Sequence, residues 1–143
     1  MNLLKILEEG YMIQVTEEIK ESLKSTKIAY LSTAAKDGTP NVVPIGAFKF
    51  LDDATLLISD QFFKKTLANL KENPKIALAW WGEKDGFQIK ADITLHTDDE
   101  IFRQNVEWVH GIKATLNPKS AVVGKITGVY IVKSGPDAGE KIL

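Results

Sequence analysis

Lys64, Lys65 and Thr66 lie where a strand-like segment gives way to a helical one. The apolar residues 56–58 precede them, and a helical pattern follows from about Phe63 to Glu72. The N-terminus of a helix offers unpaired backbone N–H groups and the positive end of a dipole. The ammonium groups of Lys64 and Lys65 and the hydroxyl of Thr66 add to these, so the segment is a candidate binding site for a phosphate group. The alternative is a solvated helix start, although lysines there oppose the helix dipole.

A second candidate is Asn41-Val42-Val43-Pro44-Ile45-Gly46, inside a predicted strand over residues 41–50. Proline cannot donate to a strand ladder, so we expect Pro44 at a sheet edge, at a bulge or beside a ligand. Gly46 follows and would let a flat ligand approach the backbone closely. An ordinary edge bulge explains the same pattern and is favoured by the pattern alone.

Gln88 begins the polar face of an alternating segment, residues 87–96. Its amide can both donate and accept hydrogen bonds to a ligand, but without further context it is a surface glutamine. His96 and His110 are the only histidines, and the chain has no cysteine. Their contexts match no metal-binding motif, so no metal site is expected. No side chain stands out as a catalytic acid, base or nucleophile.

Composition limits the classes of function. The chain has 143 residues, is 44% hydrophobic and carries a formal net charge of −1. We expect one domain over residues 1–143, with a lead-in at 1–15 and a C-terminal tail at 134–143. The balanced charge argues against a nucleic-acid binder. No apolar run reaches the roughly 18 residues of a membrane span, and the charged N-terminus is unlike a signal peptide, so a cytoplasmic protein is the default expectation.

The hydrophobic periodicity predicts a mainly β fold with peripheral helices. The predicted strands are residues 27–34, 41–50, 54–59, 75–81, 87–96 and 120–133, and the predicted helices are 17–24, 63–72 and 99–112. Hairpin-length loops predict an antiparallel sheet that closes into a small barrel. The fourth strand, apolar from Ile76 to Trp81, is expected to be buried on both faces. Asp98 is the predicted cap of the last helix, whose expected apolar stripe is Ile101, Phe102, Val106, Val109 and Ile112.

Taken in order, several short segments resemble one known family. They are Leu31-Ser32-Thr33, Asp37-Gly38-Thr39-Pro40, Val43-Pro44-Ile45, Leu57-Ile58-Ser59, Lys65-Thr66, Asn69-Leu70 and residues 73–78. This combination resembles the pyridoxamine 5′-phosphate oxidase-like family of FMN-binding split barrels, in particular its small stand-alone FMN-binding proteins. The similarity is specific from about Lys27 to Gln88 and weaker beyond.

The resemblance implies a six-stranded antiparallel split β-barrel and a homodimer with FMN at the subunit interface. It places the backbone of Val43, Pro44 and Ile45 along the isoalloxazine ring and the Ser59 hydroxyl near the ribityl phosphate. It also implies that Lys65 and Thr66 hold the phosphate with Lys64 beside them, that Asn69 lies one turn further on, and that Gln88 meets the flavin.

One departure from the family limits the function. The vitamin-B6 oxidases carry an arginine-rich C-terminal substrate motif, whereas this chain has a single arginine, Arg103. We therefore expect an FMN-binding flavoprotein, an oxidoreductase or an electron carrier, and not a true pyridoxamine phosphate oxidase. The electron donor, the acceptor and the residues supplied by a second subunit stay open, with Trp80, Trp81, Trp108 and the tail as candidates. The alternatives are a deazaflavin or haem cofactor, or a cofactor-free interaction domain.

Overall fold

A computed structural model describes residues 13–143, so most of the predicted lead-in lies outside the described residues. The three helices are α1 (Glu17–Lys24), α2 (Lys65–Glu72) and α3 (Glu100–Ile112). The strands are β1 (Ala29–Ala34), β2 (Pro40–Ile45), β3 (Phe48–Asp52), β4 (Thr55–Asp60), β5 (Lys75–Trp81), β6 (Gly86–His96) and β7 (Ser120–Ile131). The predicted elements are thus present, most of them within two residues of their expected bounds.

The strands form one antiparallel sheet in the order β2-β1-β5-β6-β7-β4-β3. Its two edge strands, β2 and β3, are consecutive in the chain and separated only by Gly46 and Ala47. The sheet must therefore curl until its edges meet at this point, which is the geometry of a split barrel. The prediction of a mainly β, antiparallel split barrel is confirmed.

The predicted number of strands was wrong, because the described residues form seven strands and not six. The expected single strand over residues 41–50 divides at Gly46-Ala47, where the chain changes partners. Before this point it pairs with β1, and after it with β4. A backbone hydrogen bond of 3.0 Å from Ser59 N to Ala47 O holds the junction against the end of β4. Pro44 lies on an edge strand, as its missing N–H requires.

The core lies on the concave face of the sheet. Leu31, Leu78, Ile89 and Val129, from four neighbouring strands, are fully buried there. The expectation that β5 is buried on both faces was wrong, since burial alternates along the strand and Trp81 is 61% exposed. The opposite face of this part of the sheet is therefore turned outward.

Helix α3 differs from its prediction in its cap and in its buried face. Asp99, and not Asp98, is the N-cap, and its carboxylate accepts a hydrogen bond of 3.0 Å from the Phe102 N–H. The residues that the helix buries fully are Asn105 and Val109, which are four residues apart, whereas Ile112 is 58% exposed. A buried amide thus replaces part of the expected apolar stripe, and it requires a polar partner.

No helix within residues 13–143 is both long enough and apolar enough to cross a lipid bilayer.

Candidate functional site

A cavity of about 740 Å³ opens between the edge strand β2, the loop from β4 to α2, and the end of α3. This volume is typical of small-molecule sites, which span about 300–1,000 Å³. The cavity is lined by Val43, Pro44, Ile45, Gly46, Ala47, Ser59, Gln61, Phe62, Phe63, Lys64, Lys65, Thr66, Ile112, Lys113 and Leu116. Seven of the nine predicted cofactor-binding residues line it: Val43, Pro44, Ile45, Ser59, Lys64, Lys65 and Thr66.

The start of α2 faces this cavity without a side-chain cap. Lys64 occupies the N-cap position and makes no capping hydrogen bond, and the first turn has no acidic residue. Lys64 and Lys65 are exposed, whereas Thr66 is 2% exposed. Backbone N–H groups, ammonium groups and a hydroxyl therefore meet at the positive end of a helix, an arrangement that suits an anion.

A chain of side-chain hydrogen bonds fixes the Thr66 hydroxyl. Asn41 Nδ2 donates to Thr66 Oγ1 at 3.0 Å and to Thr33 Oγ1 at 3.2 Å. Asn69 Nδ2 also donates to Thr33 Oγ1, at 3.0 Å. Asn69 is therefore not a lining residue of the cavity, and its amide instead connects α2 to β1. Since Thr66 Oγ1 already accepts from Asn41, its own proton is available to a group in the cavity.

Asp60 holds the loop that leads into α2. Its side chain is fully buried, and its carboxylate accepts hydrogen bonds of 2.9 Å from the Phe63 N–H and from Ser120 Oγ. Lys119 Nζ lies 3.8 Å from the same carboxylate and donates to the Phe63 carbonyl. A buried carboxylate with these partners ties the loop to β7 and gives the first residues of α2 a fixed position.

Ser59 lies beneath the cavity in a cluster of two amides. Gln61 Nε2 donates to Ser59 Oγ at 2.7 Å, and Asn105 Nδ2 donates to the same oxygen at 2.9 Å. Ser59 is 3% exposed and Asn105 is fully buried. The strand-end hydroxyl is thus held in place from both the loop and helix α3.

The remaining walls of the cavity are apolar. Val43, Pro44 and Ile45 form one side, on a strand that pairs with β1 along one edge only. Phe62, which is 82% exposed, and Ile112 lie among the lining residues of the loop and of α3. A ligand that fits these walls therefore has a large apolar part next to an anionic one.

Gln88 lies away from this cavity. The register places Pro44, Tyr30, Ala79, Gln88 and Tyr130 opposite one another across five neighbouring strands. Directly paired residues point to the same face of a sheet, so Gln88 shares the outer face with Tyr30 and Pro44. Three strand spacings, about 14 Å along the sheet, separate it from Pro44. The structure therefore does not bring Gln88 together with the other predicted residues.

Tyr30 and Trp81 stack on this outer face, with ring centroids 5.1 Å apart and an interplanar angle of 13°. The other two tryptophans are held within the fold. Trp80 is buried and donates to Ser22 Oγ at 2.9 Å, and Trp108 lies under Lys49 Nζ, 4.6 Å from the ring centroid. Of the three tryptophans, Trp81 is therefore the one exposed for contact with another molecule.

Neither histidine lines the cavity. His96 Nδ1 lies 2.6 Å from Asp99 Oδ2, and His110 Nε2 lies 2.9 Å from the Leu116 carbonyl. The hydrogen bond with His96, followed by that from the Phe102 N–H, lowers the pKa of Asp99. Over residues 13–143 no group of three or more histidine, aspartate or glutamate side chains could hold a metal ion.

Sequence reasoning missed three parts of the site: Asp60, the amides of Gln61 and Asn105, and the wall at the end of α3. Asp60 carried a usable signal, because an aspartate between a strand and a helix often accepts a hydrogen bond from a backbone N–H of the turn that follows it. Asn105 carried another, since it stands four residues before Val109 on the apolar face of a helix. Its partner Ser59 lies 46 residues earlier, and no local pattern predicts that contact.

A model of the pyridoxamine 5′-phosphate oxidase family matches residues 15–133. The uncharacterized protein MJ0282 of Methanocaldococcus jannaschii is 42% identical over 141 residues, which cover 96% of this chain and 94% of that protein. The match therefore extends over nearly the full length of both sequences.

Three solved structures are similar to this chain at lower identity. HupZ of Group A Streptococcus has a TM-score of 0.75 at 22% identity, covering 87% of this chain and 99% of its own. An FMN-binding protein from Syntrophomonas wolfei has a TM-score of 0.69 at 18% identity, with 94% and 99% covered. HutZ, the heme storage protein from Vibrio cholerae, has a TM-score of 0.61 at 18% identity, with 82% and 94% covered. At these identities the likeness shows the fold alone.

Proposed function

The chain belongs to the pyridoxamine 5′-phosphate oxidase family, and we propose that it binds FMN non-covalently and cycles it as an oxidoreductase or an electron carrier. The observation that carries this proposal is the uncapped start of α2, where Lys64, Lys65 and Thr66 face a cavity. A phosphate dianion would accept the hydrogen bonds that the protein leaves unpaired there.

The residues of the cavity fit FMN in three places. Lys65 and Thr66, with Lys64 beside them, would hold the phosphate. The isoalloxazine ring would lie along Val43-Pro44-Ile45, where no second strand pairs with β2 within the described sheet. Ser59 lies between these two regions as a hydroxyl at the end of β4. Gln61 also lines the cavity, and its buried amide oxygen has no hydrogen-bond partner within residues 13–143, so the cavity can take a polar group as well as a ring.

The flavin would supply the electron-transfer chemistry, and the chain would bind and orient it. The lining residues include three lysines but no carboxylate and no imidazole. We therefore propose no role for a dedicated acid or base in proton transfer, and the lysines would hold the anionic end of the cofactor. Pyridoxamine phosphate oxidation is also left out, because the arginine-rich substrate motif is missing.

An absorption spectrum of the purified protein tests the proposal. We expect a yellow protein with the two-band spectrum of a flavin, or a colourless one that takes up added FMN and quenches its fluorescence. Anaerobic titration with NADH and with NADPH would then show whether a nicotinamide nucleotide reduces the bound flavin. A protein that takes up haem or a deazaflavin in place of FMN, or none of the three, would contradict the proposal.

We further propose that two copies pair through the outer face of the sheet. Trp81 and Tyr30 are 61% and 39% exposed there, and Val42 on the neighbouring edge strand is 61% exposed. Exposed aromatic clusters of this kind are typical of protein interfaces. Gln88 lies on the same face, so in such a dimer it would meet the flavin held by the other copy.

Substitution of Trp81 tests the dimer. Trp81→Glu puts a charge on the outer face in place of the ring that stacks on Tyr30, so we expect sedimentation equilibrium to show a monomer where the wild type is a dimer. Leu51→Glu is the matched control, because Leu51 is 46% exposed on β3, four strands from β5 in the order of the sheet. Dissociation by Leu51→Glu, or a wild-type monomer that binds FMN, would refute this interface.

A further inference from the structure

A second cavity, of about 420 Å³, lies between helix α1, the edge strand β3 and Trp108 of α3. Its volume falls within the range of small-molecule sites. Of the residues within 13–143 that line it, only Gly46 also lines the cavity at the start of α2. A ligand in this second cavity would therefore contact a different set of side chains, most of them from α1 and β3.

One of the three lysines in the wall of this cavity is already paired. Lys20 donates a hydrogen bond to the Asp53 carboxylate, and its Nζ lies 2.8 Å from a carboxylate oxygen of Glu17. The hydrogen bond to Asp53, followed by that to Glu17, raises the pKa of Lys20. Its positive charge is thus balanced within the chain, so Lys20 is not the group that would attract a ligand.

The other two lysines of the wall, Lys24 and Lys49, form no ion pair within residues 13–143. Glu21, which also lines the cavity, forms none with the same residues. Lys24 stands in the last turn of α1, where a positive charge also complements the helix dipole. Two unpaired ammonium groups against one unpaired carboxylate leave an excess of one positive charge, which a single carboxylate would balance.

Trp108 holds the Lys49 ammonium group in this wall. Lys49 Nζ lies 4.6 Å from the centroid of the Trp108 ring, a cation–π contact that attracts the ammonium group without neutralising it. Phe48 and Phe50, which flank Lys49 on β3, are half-buried and line the same cavity. A positioned positive charge therefore stands next to aromatic side chains.

We propose that this second cavity binds a small aromatic carboxylate. The carboxylate would accept hydrogen bonds from Lys24 and Lys49, and the ring would pack against Phe48 and Phe50. The charges favour this class of ligand, because a neutral ring leaves both ammonium groups unpaired and a cation meets the positive excess. The site goes beyond FMN binding and does not depend on it.

Three indole compounds that differ in charge test the site. Indole-3-acetate is an anion, indole-3-acetamide is its neutral counterpart, and tryptamine is a cation. Isothermal titration calorimetry on the full chain should show that indole-3-acetate binds roughly tenfold more tightly than the amide, the effect of about one charge-assisted hydrogen bond. Tryptamine should bind more weakly than the amide.

Substitution of either unpaired lysine should reduce the preference for the anion. Lys24→Met and Lys49→Met keep an apolar side chain and remove the charge, so each should lower the acetate-to-amide affinity ratio by about three- to fivefold. Glu21→Gln removes the unpaired carboxylate from the same wall and should raise that ratio. Lys27→Met is the matched control, because Lys27 is exposed just beyond α1 and does not line the cavity.

Trp108 is a positioning residue, so its test uses the same affinity ratio. Trp108→Leu should lower the acetate-to-amide ratio, because Lys49 loses the ring that holds its ammonium group, whereas Trp108→Phe should retain most of it. A loss of folded protein would lower both affinities together and leave their ratio unchanged. Thermal melting of the two variants measures that loss separately.

A preference for the anion that persists in both Lys24→Met and Lys49→Met would overturn the site. A preference that disappears in Lys65→Ala would do so as well, since it would place the anion at the start of α2. Equal affinity for the three indole compounds, or no binding of indole-3-acetate, would also contradict it. None of these measurements uses a flavin, so their outcome is distinct from a failure of the proposed function.

Discussion

The N-termini of the three described helices differ in a way that bears on function. Helix α1 has Thr16 as its cap, with Glu17 and Glu18 in the first turn, and α3 has Asp99 followed by Glu100. Helix α2 has no side-chain cap bond, and lysines stand at its positive end. Helices α1 and α3 thus satisfy free N–H groups and complement their dipoles within the chain. Helix α2 does neither.

This difference shows where the fold gives up local stability. Lysines near a helix N-terminus are unfavourable by a few tenths of a kcal/mol to about 1 kcal/mol each. Helix α2 is held by tertiary contacts instead, since Leu70 and Thr66 are buried and Asn69 bonds to β1. A bound phosphate would reverse the unfavourable charge pattern, so α2 has the features of a binding element and α1 and α3 those of structural elements.

The largest expected effect comes from removing the phosphate contacts. In the double variant Lys65→Ala/Thr66→Ala, FMN affinity should fall by at least about 100-fold, because two charge-assisted hydrogen bonds of roughly 1.5–3 kcal/mol each are lost. Riboflavin affinity should change far less, since it has no phosphate. Fluorescence titration with both ligands measures this. Lys71→Ala is the matched control, because Lys71 stands in the last turn of the same helix. Equal losses for FMN and riboflavin would place the phosphate elsewhere.

A smaller effect should follow from giving α2 the cap that α3 has. Lys64→Asp supplies a carboxylate for the free N–H groups and removes one lysine. We expect FMN affinity to fall about tenfold, by competition and charge repulsion, while the ligand-free protein melts a few degrees higher, since a helix cap is worth about 1 kcal/mol. Lys64→Ala separates the two effects, because it removes the charge without adding a cap. An unchanged FMN affinity in Lys64→Asp would mean that the start of α2 binds no anion.

The smallest effect on FMN binding is expected at the cap of α3. Asp99→Ala should lower the melting temperature and leave FMN affinity unchanged at neutral pH. The hydrogen bonds from His96 and then from the Phe102 N–H lower the pKa of Asp99 in the folded protein. The stabilisation is therefore present above the usual aspartate pKa of about 3.9 and is lost as the pH falls through the lowered value. Melting curves of both proteins should converge below that range, and a difference that persists there would contradict this assignment.

Much of the fold could be predicted from the sequence because local patterns are strong in this chain. Strict alternation of apolar and polar residues over 87–96 predicts β6, and Asn73-Pro74 predicts the end of α2. The division of one predicted strand into β2 and β3 was missed, since it depends on a change of pairing partner at Gly46-Ala47. Local sequence shows that a strand is interrupted there but not which strands its two halves join.

The candidate site could be predicted in the parts that lie close together in the sequence. Lys64, Lys65 and Thr66 belong to one segment, and the proline and glycine of residues 41–46 indicated a second one. The resemblance to a family added the role of Ser59. The roles of Asn69 and Gln88 depend on geometry that no local pattern contains. Asn69 is turned toward Thr33, and Gln88 lies on the outer face of the sheet.

A crystal structure of the FMN complex tests the central claim most directly. We expect the phosphate at the start of α2, within hydrogen-bond distance of the Lys65 ammonium group and the Thr66 hydroxyl, with the isoalloxazine ring against Val43-Pro44-Ile45. A phosphate bound away from α2, with its N–H groups facing solvent, would contradict it.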